Sequence, residues 1–285
     1  MKRFIHPFMQ LLVLAALSLA FFVVSVALGM VLEVPSGCEP GTAGSFLLWN
    51  ACAQVLMFAL PPVFVASMYF RGGIRGYLRL DFSGRRWFFA FVGVVVLLLL
   101  VPLTDWLAVW NDGWHWTGIC ENVENELRRI GEESQHTVEL VLNECHPLLS
   151  LVCVALVPAV CEELFFRAGI QNLLMRWCKN VHVAVWVTAA IFSLAHGEVF
   201  AFLPRFLLGA LLGYLFAYGG SLIVNVMVHF VNNAMVVLLF CFFAPTSGFN
   251  PTEPLGVDWI VTLACSVAAG TLLLVTFGKE LKISK

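Results

Sequence analysis

Charged side chains are scarce in this chain. Only 12% of its 285 residues are Asp, Glu, Lys or Arg, and 60% are hydrophobic, whereas soluble domains carry about a quarter charged residues. One soluble core of this length could not bury so much apolar surface, so a bilayer must surround the remainder. The composition therefore excludes an ordinary soluble protein. The net charge of -2 indicates no particular partner, and nothing points to a nucleic acid.

Features that would divide the chain into separate domains are also absent. There is no low-complexity stretch, no long Ser/Gly/Pro linker and no convincing internal repeat of the kind that transporters often show. The nine cysteines include no Cys-x-x-Cys pair, so neither a zinc ribbon nor a redox motif is indicated. We therefore expect one integral membrane domain over residues 1–285.

Long apolar runs predict the fold class. The first run, near 8–32, is too long for the hydrophobic region of a typical signal peptide, and no small-residue cleavage site follows it, so we expect a retained first span. Windows of about 20 apolar residues predict eight helices in all. The remaining seven lie near 46–69, 87–105, 148–175, 182–197 (a short one), 199–218, 221–244 and 257–277. The expected fold is an all-α polytopic membrane protein.

Basic residues indicate the orientation of these spans. With the N-terminus inside, 12 of the 16 Lys and Arg residues fall on the cytoplasmic side, which is the distribution that membrane proteins favour. The 12 are Lys2, Arg3, Arg71, Arg75, Arg79, Arg85, Arg86, Arg176, Lys179, Lys279, Lys282 and Lys285. The outer loops are instead acidic, from Glu33 and Glu39 to the run 121–144. We expect both termini in the cytoplasm, and a bacterial inner membrane as the location.

The outer segment 106–147 has the pattern of a cap. It opens with four tryptophans, which suit the lipid headgroup region: Trp106, Trp110, Trp114 and Trp116. Residues 121–144 then combine acidic side chains with apolar ones at helical spacing, which predicts one amphipathic helix or a pair of them over the outer face. Cys120 and Cys145 bracket this stretch. A disulfide between them, pairing with Cys38, and free thiols remain alternatives.

Ionisable residues inside membrane spans are costly and point to function. The fourth span carries Glu162, Glu163 and Arg167. Adjacent residues of a helix point about 100° apart, so the two glutamates cannot easily share one role. Glu163 and Arg167 have the i, i+4 spacing of an ion pair. That pairing would leave Glu162 free to act as a base.

The other polar residues of the spans are histidines and amides. His196 ends the fifth span, and His229 and Asn233 share a face of the seventh, with Asn225 one turn earlier. Glu162 and His196 each lie 17 residues from Lys179, so a hairpin turning there would bring them to equal depth. His229 is about eight residues from the turn at 219–221, and we expect it to lie shallower unless residues near 170–178 follow the membrane interface.

At these residues the sequence resembles the CPBP family of CAAX proteases and bacteriocin-processing or immunity-associated membrane proteins. The family pattern appears as Glu162-Glu163-x-x-x-Arg167, Phe192-x-x-x-His196 and His229-x-x-x-Asn233. The stretches 205–209 and 218–222 look similar too, so the resemblance covers roughly 148–235. It implies that these spans are the catalytic core, while the N-terminal spans and the cap match nothing comparable.

The resemblance implies proteolysis within a membrane cavity. Glu162 would be the general base and His196 would position the water, while His229 and Asn233 would polarise the scissile carbonyl. Glu163 and Arg167 would support the site or hold the substrate backbone. The substrate would be a peptide or a lipidated protein, among membrane lipids. The family has often been labelled metal-dependent, but no His-Glu-x-x-His helix is present and Asn is a poor zinc ligand. We expect no cofactor, with zinc as the alternative.

Two other functions remain open on the sequence. A non-catalytic family member, acting as a scaffold or an immunity protein, would keep these residues for stability. A proton or ion transporter would also place Glu, His and Arg inside the membrane.

Overall fold

In a computed structural model, the chain is described over residues 6–32, 39, 41–70, 73–82, 84–247 and 255–283. These residues form helices and no strand. We number ten helices: α1 Pro7–Val31, α2 Ala43–Tyr69, α3 Gly73–Tyr77, α4 Arg86–Asp112, α5 Glu121–Glu144, α6 Pro147–Cys178, α7 Val181–Leu194, α8 Phe202–Gly219, α9 Leu222–Ser247 and α10 Trp259–Ile283.

The predicted all-α membrane fold is confirmed. Within the described ranges, seven helices are long and apolar enough to cross a membrane, and the short α7 is an eighth apolar helix. Of the charges behind the orientation prediction, Lys2, Arg3, Arg71, Lys285 and the outer Glu33 lie outside the described residues, as do the side chains of Lys279 and Lys282.

The third span is longer than predicted. It was expected over 87–105, but α4 continues to Asp112 and ends at Gly113. Asp105, the last residue of the expected span, does not break the helix, because its carboxylate accepts backbone N–H groups from Gly256 (3.1 Å) and Val257 (3.4 Å) just before α10. The first residues of the predicted cap, 106–112, therefore belong to helix α4.

The remainder of the cap is one helix, α5, which agrees with the simpler of the two predicted arrangements. Its 24 residues span about 36 Å at 1.5 Å per residue. Cys120 and Cys145 stand at opposite ends of it, whereas a disulfide needs Cα atoms within about 7 Å. The disulfide between them is therefore wrong, and both thiols are free. The alternative with Cys38 lies outside the described residues.

Helices α7 and α8 approach each other closely at two glycines, as the GxxxG spacing allows. A Cβ atom on Gly209 would lie 3.1 Å from the Cα of Ala189, and one on Gly213 would lie 2.8 Å from a methyl of Val185. The Gly213 carbonyl also accepts the Gln171 amide of α6 at 2.8 Å. The three helices thus form one tightly packed unit.

The start of α9 sets the depth of its polar stripe. The Leu222 N–H donates to the Arg79 carbonyl (3.0 Å), and the Asn172 amide donates to the Tyr77 carbonyl (3.3 Å). Both α6 and α9 are therefore tied to the same short segment, residues 77–79 at the end of α3. Helix α9 therefore begins at the same depth in the bundle as Asn172, and not at the depth of the C-terminal end of α6. As a result, His229 lies at the same depth as the two α6 glutamates. The sequence left the depth of His229 open, because it depends on the course of residues near 170–178, and the structure brings its Nε2 to 3.7 Å from Glu162 Oε2.

Candidate active site

Glu163 is the centre of a buried polar cluster. Its Oε2 accepts hydrogen bonds from Arg167 Nε (3.0 Å) and Asn225 Nδ2 (3.1 Å), and its Oε1 pairs with His229 Nδ1 at 2.9 Å. All four side chains are buried. The ion pair predicted from the i, i+4 spacing is thus present, and Asn225 and His229 join it from another helix. Both carboxylate oxygens of Glu163 are occupied.

The contact with Glu163 determines which nitrogen of the His229 ring carries a proton. An ionised carboxylate only accepts hydrogen bonds, so the proton of the 2.9 Å contact belongs to His229 Nδ1. The other ring nitrogen, Nε2, then points away from the buried cluster. It lies 3.7 Å from Glu162 Oε2, which is too long for a hydrogen bond but close enough for one water to contact both groups.

The two adjacent glutamates therefore differ in their surroundings. The Glu163 side chain is 0% exposed and that of Glu162 is 14% exposed. Helix α6 is α-helical over Val157–Glu162 and takes a wider π-helical form from Glu163 to Gln171, as it also does over Leu151–Leu156; such π-helical turns are frequent at functional sites. One glutamate faces the sealed cluster, and the other reaches open space beside the same imidazole.

His196 occupies a different kind of position. It lies just beyond the end of α7 and is exposed, and its Nδ1 is 2.8 Å from the carbonyl oxygen of Phe192. The Phe192 ring contacts both imidazoles, with centroid distances of 4.9 Å to His196 and 5.9 Å to His229. The Arg167 guanidinium lies 5.2 Å from the same ring. Phe192 thus links the two predicted catalytic histidines.

Asn233 lies one turn beyond His229 on α9 and is partly buried. Its Oδ1 accepts a hydrogen bond from the neighbouring Asn232 amide at 3.1 Å. Because its oxygen is already bound, the Asn233 side chain has its Nδ2 group left as a hydrogen-bond donor. Asn233 therefore presents the chemistry that polarising a carbonyl requires.

Comparison with protein families places this cluster in a known domain. Residues 144–235 match the model described as type II CAAX prenyl endopeptidase Rce1-like. Residues 144–235, about a third of the chain, are therefore similar to an Rce1-like domain. The match confirms the resemblance to the CPBP and CAAX proteases and supports a protease of the CAAX type in general. No curated protein and no solved structure matches the chain.

The described residues form no cluster of the size that a zinc site needs. Within the described ranges, no three or more His, Cys, Asp and Glu side chains are grouped so that they could hold a metal ion. Both oxygens of Glu163 are already bound by Arg167, Asn225 and His229 Nδ1, so this carboxylate is not available to a metal ion. A structural or catalytic zinc site needs at least three such ligands around one point.

Two residues near the site were not among those predicted for it. Asn225 was placed on the polar stripe of α9 but was not assigned a role in the site, although it binds Glu163 directly. Glu198 was not singled out at all. Its carboxylate accepts from Ser134 of α5 at 2.7 Å and from Arg205 of α8. Its local signals were its place two residues after His196 and seven residues before Arg205, whereas Ser134 lies 64 residues away in sequence.

Proposed function

We propose that this chain is an intramembrane endopeptidase in which Glu162 is the general base. The observation that carries the proposal is the arrangement of two adjacent glutamates around one imidazole. Glu163 holds His229 through Nδ1 inside the bundle, and Glu162 lies in partly open space 3.7 Å from Nε2. A water bound beside Glu162 and His229 would be positioned for deprotonation.

The other residues have roles that follow from their contacts. Glu162 would take a proton from the water, and His196, whose exposed ring is held by Phe192, would position that water. His229 in its protonated form donates through Nε2. Together with Asn233 it would stabilise the oxyanion that forms on the scissile carbonyl. The attacking oxygen forms the new C–O bond, and Glu162 passes its proton to the leaving amine as the C–N bond breaks.

Glu163 would act through His229 rather than on the substrate. A carboxylate on Nδ1 fixes the orientation of the ring and stabilises its positive charge. Arg167 in turn neutralises Glu163, and both side chains are fully buried. We propose that the reaction needs no metal ion, since the charges required for it are present in these side chains.

The substrate would be a peptide or a lipidated protein that enters from the membrane. The family name points to prenylated C-terminal motifs as one substrate class, and a bacterial host would require another. We also propose that both termini are cytoplasmic and that the membrane is a bacterial inner membrane, with α5 on the outer side. The basic residues Arg75, Arg79 and Arg176 then all lie at the cytoplasmic end.

The test compares protein N-termini in membranes that contain the wild type or Glu162→Gln. New N-termini should appear with the wild type and be absent with the variant. Glu132→Gln, the same change on an exposed residue of α5, is the matched control and should keep them. If no N-terminus depends on Glu162 in a range of host membranes, the protease proposal fails and a scaffold function is favoured.

A further inference from the structure

The segment that carries His196 is a loop rather than a helix. The His196 loop, residues 195–201, joins α7 to α8 and turns at Gly197, whose φ is +73°. His229 is fixed in mid-helix by a buried carboxylate, whereas the His196 ring is held by contacts to Phe192. Because the backbone of His196 is part of the loop, its position also depends on what holds the loop.

Glu198 is the polar anchor of this loop. Its Oε1 accepts the Ser134 hydroxyl at 2.7 Å and its Oε2 pairs with Arg205. Its side chain is 13% exposed, so both bonds are partly protected from water and stronger than surface bonds. One carboxylate therefore connects the His196 loop to α5 on one side and to α8 on the other.

A second contact joins α5 to the same loop. The Arg128 guanidinium lies 3.9 Å from the centre of the Phe200 ring, and Trp116 packs on that ring at 5.7 Å. Arg128 is itself fixed by Glu124 (2.8 Å) and by Asp112 at the end of α4 (2.9 Å). The Trp116 N–H and Arg128 hold the pKa of Glu124 at about 2, so this support stays ionised at neutral pH.

The remaining side of the loop is held by α4. The Asn111 amide donates to the Val199 carbonyl at 3.1 Å and accepts the Leu203 N–H at 2.8 Å, and the side chain is fully buried. The loop is therefore fixed at its base by α4, while its Glu198 and Phe200 side chains are bound by α5.

We propose that the cap helix α5 positions His196 for the reaction, with Ser134, Arg128 and Glu198 as the positioning residues. Ser134 and Arg128 precede residues 144–235, so the α5 side of these contacts lies outside the region that matches the Rce1-like model. The inference rests on the proposed protease function. Loss of the α5 contacts removes no catalytic side chain, but it lets the His196 loop move away from the position that the reaction needs.

The test removes one hydroxyl from α5. Ser134→Ala breaks the bond to Glu198, whereas Thr137→Ala removes a hydroxyl that donates only within its own helix, to the Glu133 carbonyl. Displacements of about 1 Å cost up to about 100-fold in rate, so we expect Ser134→Ala to lower kcat about tenfold with KM changed less than about twofold. Thr137→Ala should match the wild type, and Ser134→Thr, which keeps the hydroxyl, should restore kcat.

Hydrogen exchange supplies a readout that does not depend on cleavage. Amides of residues 195–203 should exchange faster in Ser134→Ala than in Thr137→Ala, at equal melting temperature. Faster exchange with unchanged kcat would overturn the proposal, since the loop would then move without consequence. Unchanged exchange would overturn it too, because the contact would not hold the loop. Wild-type protein without Glu162-dependent cleavage would instead reject the protease function, whatever the exchange shows.

Discussion

Replacing Glu163 by glutamine should destabilise the fold, whereas the same change at the adjacent Glu162 should not. Glu163 is the counter-charge of Arg167, and neither side chain is exposed to solvent. It also accepts hydrogen bonds from Asn225 and His229. A glutamine has one acceptor oxygen and no charge, so Arg167 would be left buried without a neutralising partner.

The expected cost follows from the burial of this pair. Removing one partner of a buried ion pair costs about 3–5 kcal/mol. For a domain of this size, 1 kcal/mol lowers the melting temperature by about 2–4 °C, so Glu163→Gln should melt roughly 10 °C below the wild type. Glu162 is partly exposed and has no hydrogen bond to His229 at 3.7 Å. Its replacement should therefore cost less than about 1 kcal/mol.

The assay is thermal unfolding in detergent, followed with a maleimide dye that fluoresces on reaction with a thiol. Cys153 and Cys161 of α6 are buried in the folded protein and become reactive as the bundle opens. Equal melting temperatures for Glu163→Gln and Glu162→Gln would refute the reasoning, because Glu163 would then not be the neutralising partner of a buried cation.

Four further results are expected. Gly213→Ala should cost about 1–3 kcal/mol through overpacking against α7, whereas Gly270→Ala, where a Cβ meets nothing within 4 Å, should not destabilise the protein in the same melting assay. The pKa of Glu124 is lowered from 4.5 to about 2 by the Trp116 N–H and Arg128. The stabilisation that Glu124 gives the cap is therefore complete above about pH 4.5 and is lost as the pH falls towards 2. Pepsin should cut α5 progressively faster over that range, and the Glu124→Gln protein should lack this pH dependence. Glu162-dependent cleavage should survive chelators, and metal analysis should find no stoichiometric zinc. An impermeant maleimide applied to intact spheroplasts should label the exposed Cys120 and spare the exposed Cys178, and the reverse pattern would invert the proposed orientation.

Local spacing predicted only part of this molecule. The Glu163–Arg167 pair could be predicted because both residues lie on one helix, where i, i+4 spacing fixes their distance. The contact between His229 and the glutamates could not, because it depends on the level at which α9 begins. That level is set by a hydrogen bond from Leu222 to the Arg79 carbonyl, between segments far apart in the chain. Composition indicated the spans, but it could not show which of them are tied together.

The end of α4 illustrates the same limit. The apolar window ended the third span at residue 105, but the structure continues the helix and binds the Asp105 carboxylate with backbone N–H groups from a segment about 150 residues further on. Glu198 was overlooked for a similar reason, since its partner Ser134 lies 64 residues before it. Charged residues whose partners are remote look like helix ends or loop residues in a sequence, and only the packed bundle shows what they bind.

The two histidines of the site differ in what fixes their positions. His229 is part of a buried ionic cluster, so its position changes only at a cost in stability. His196 lies on a loop whose side-chain contacts reach helix α5, beyond the matched domain. Rigid geometry at one histidine and adjustable geometry at the other would let substitutions in the cap alter the rate of cleavage without endangering the fold. For that reason the cap variants should separate activity from stability, whereas Glu163 variants should lose both.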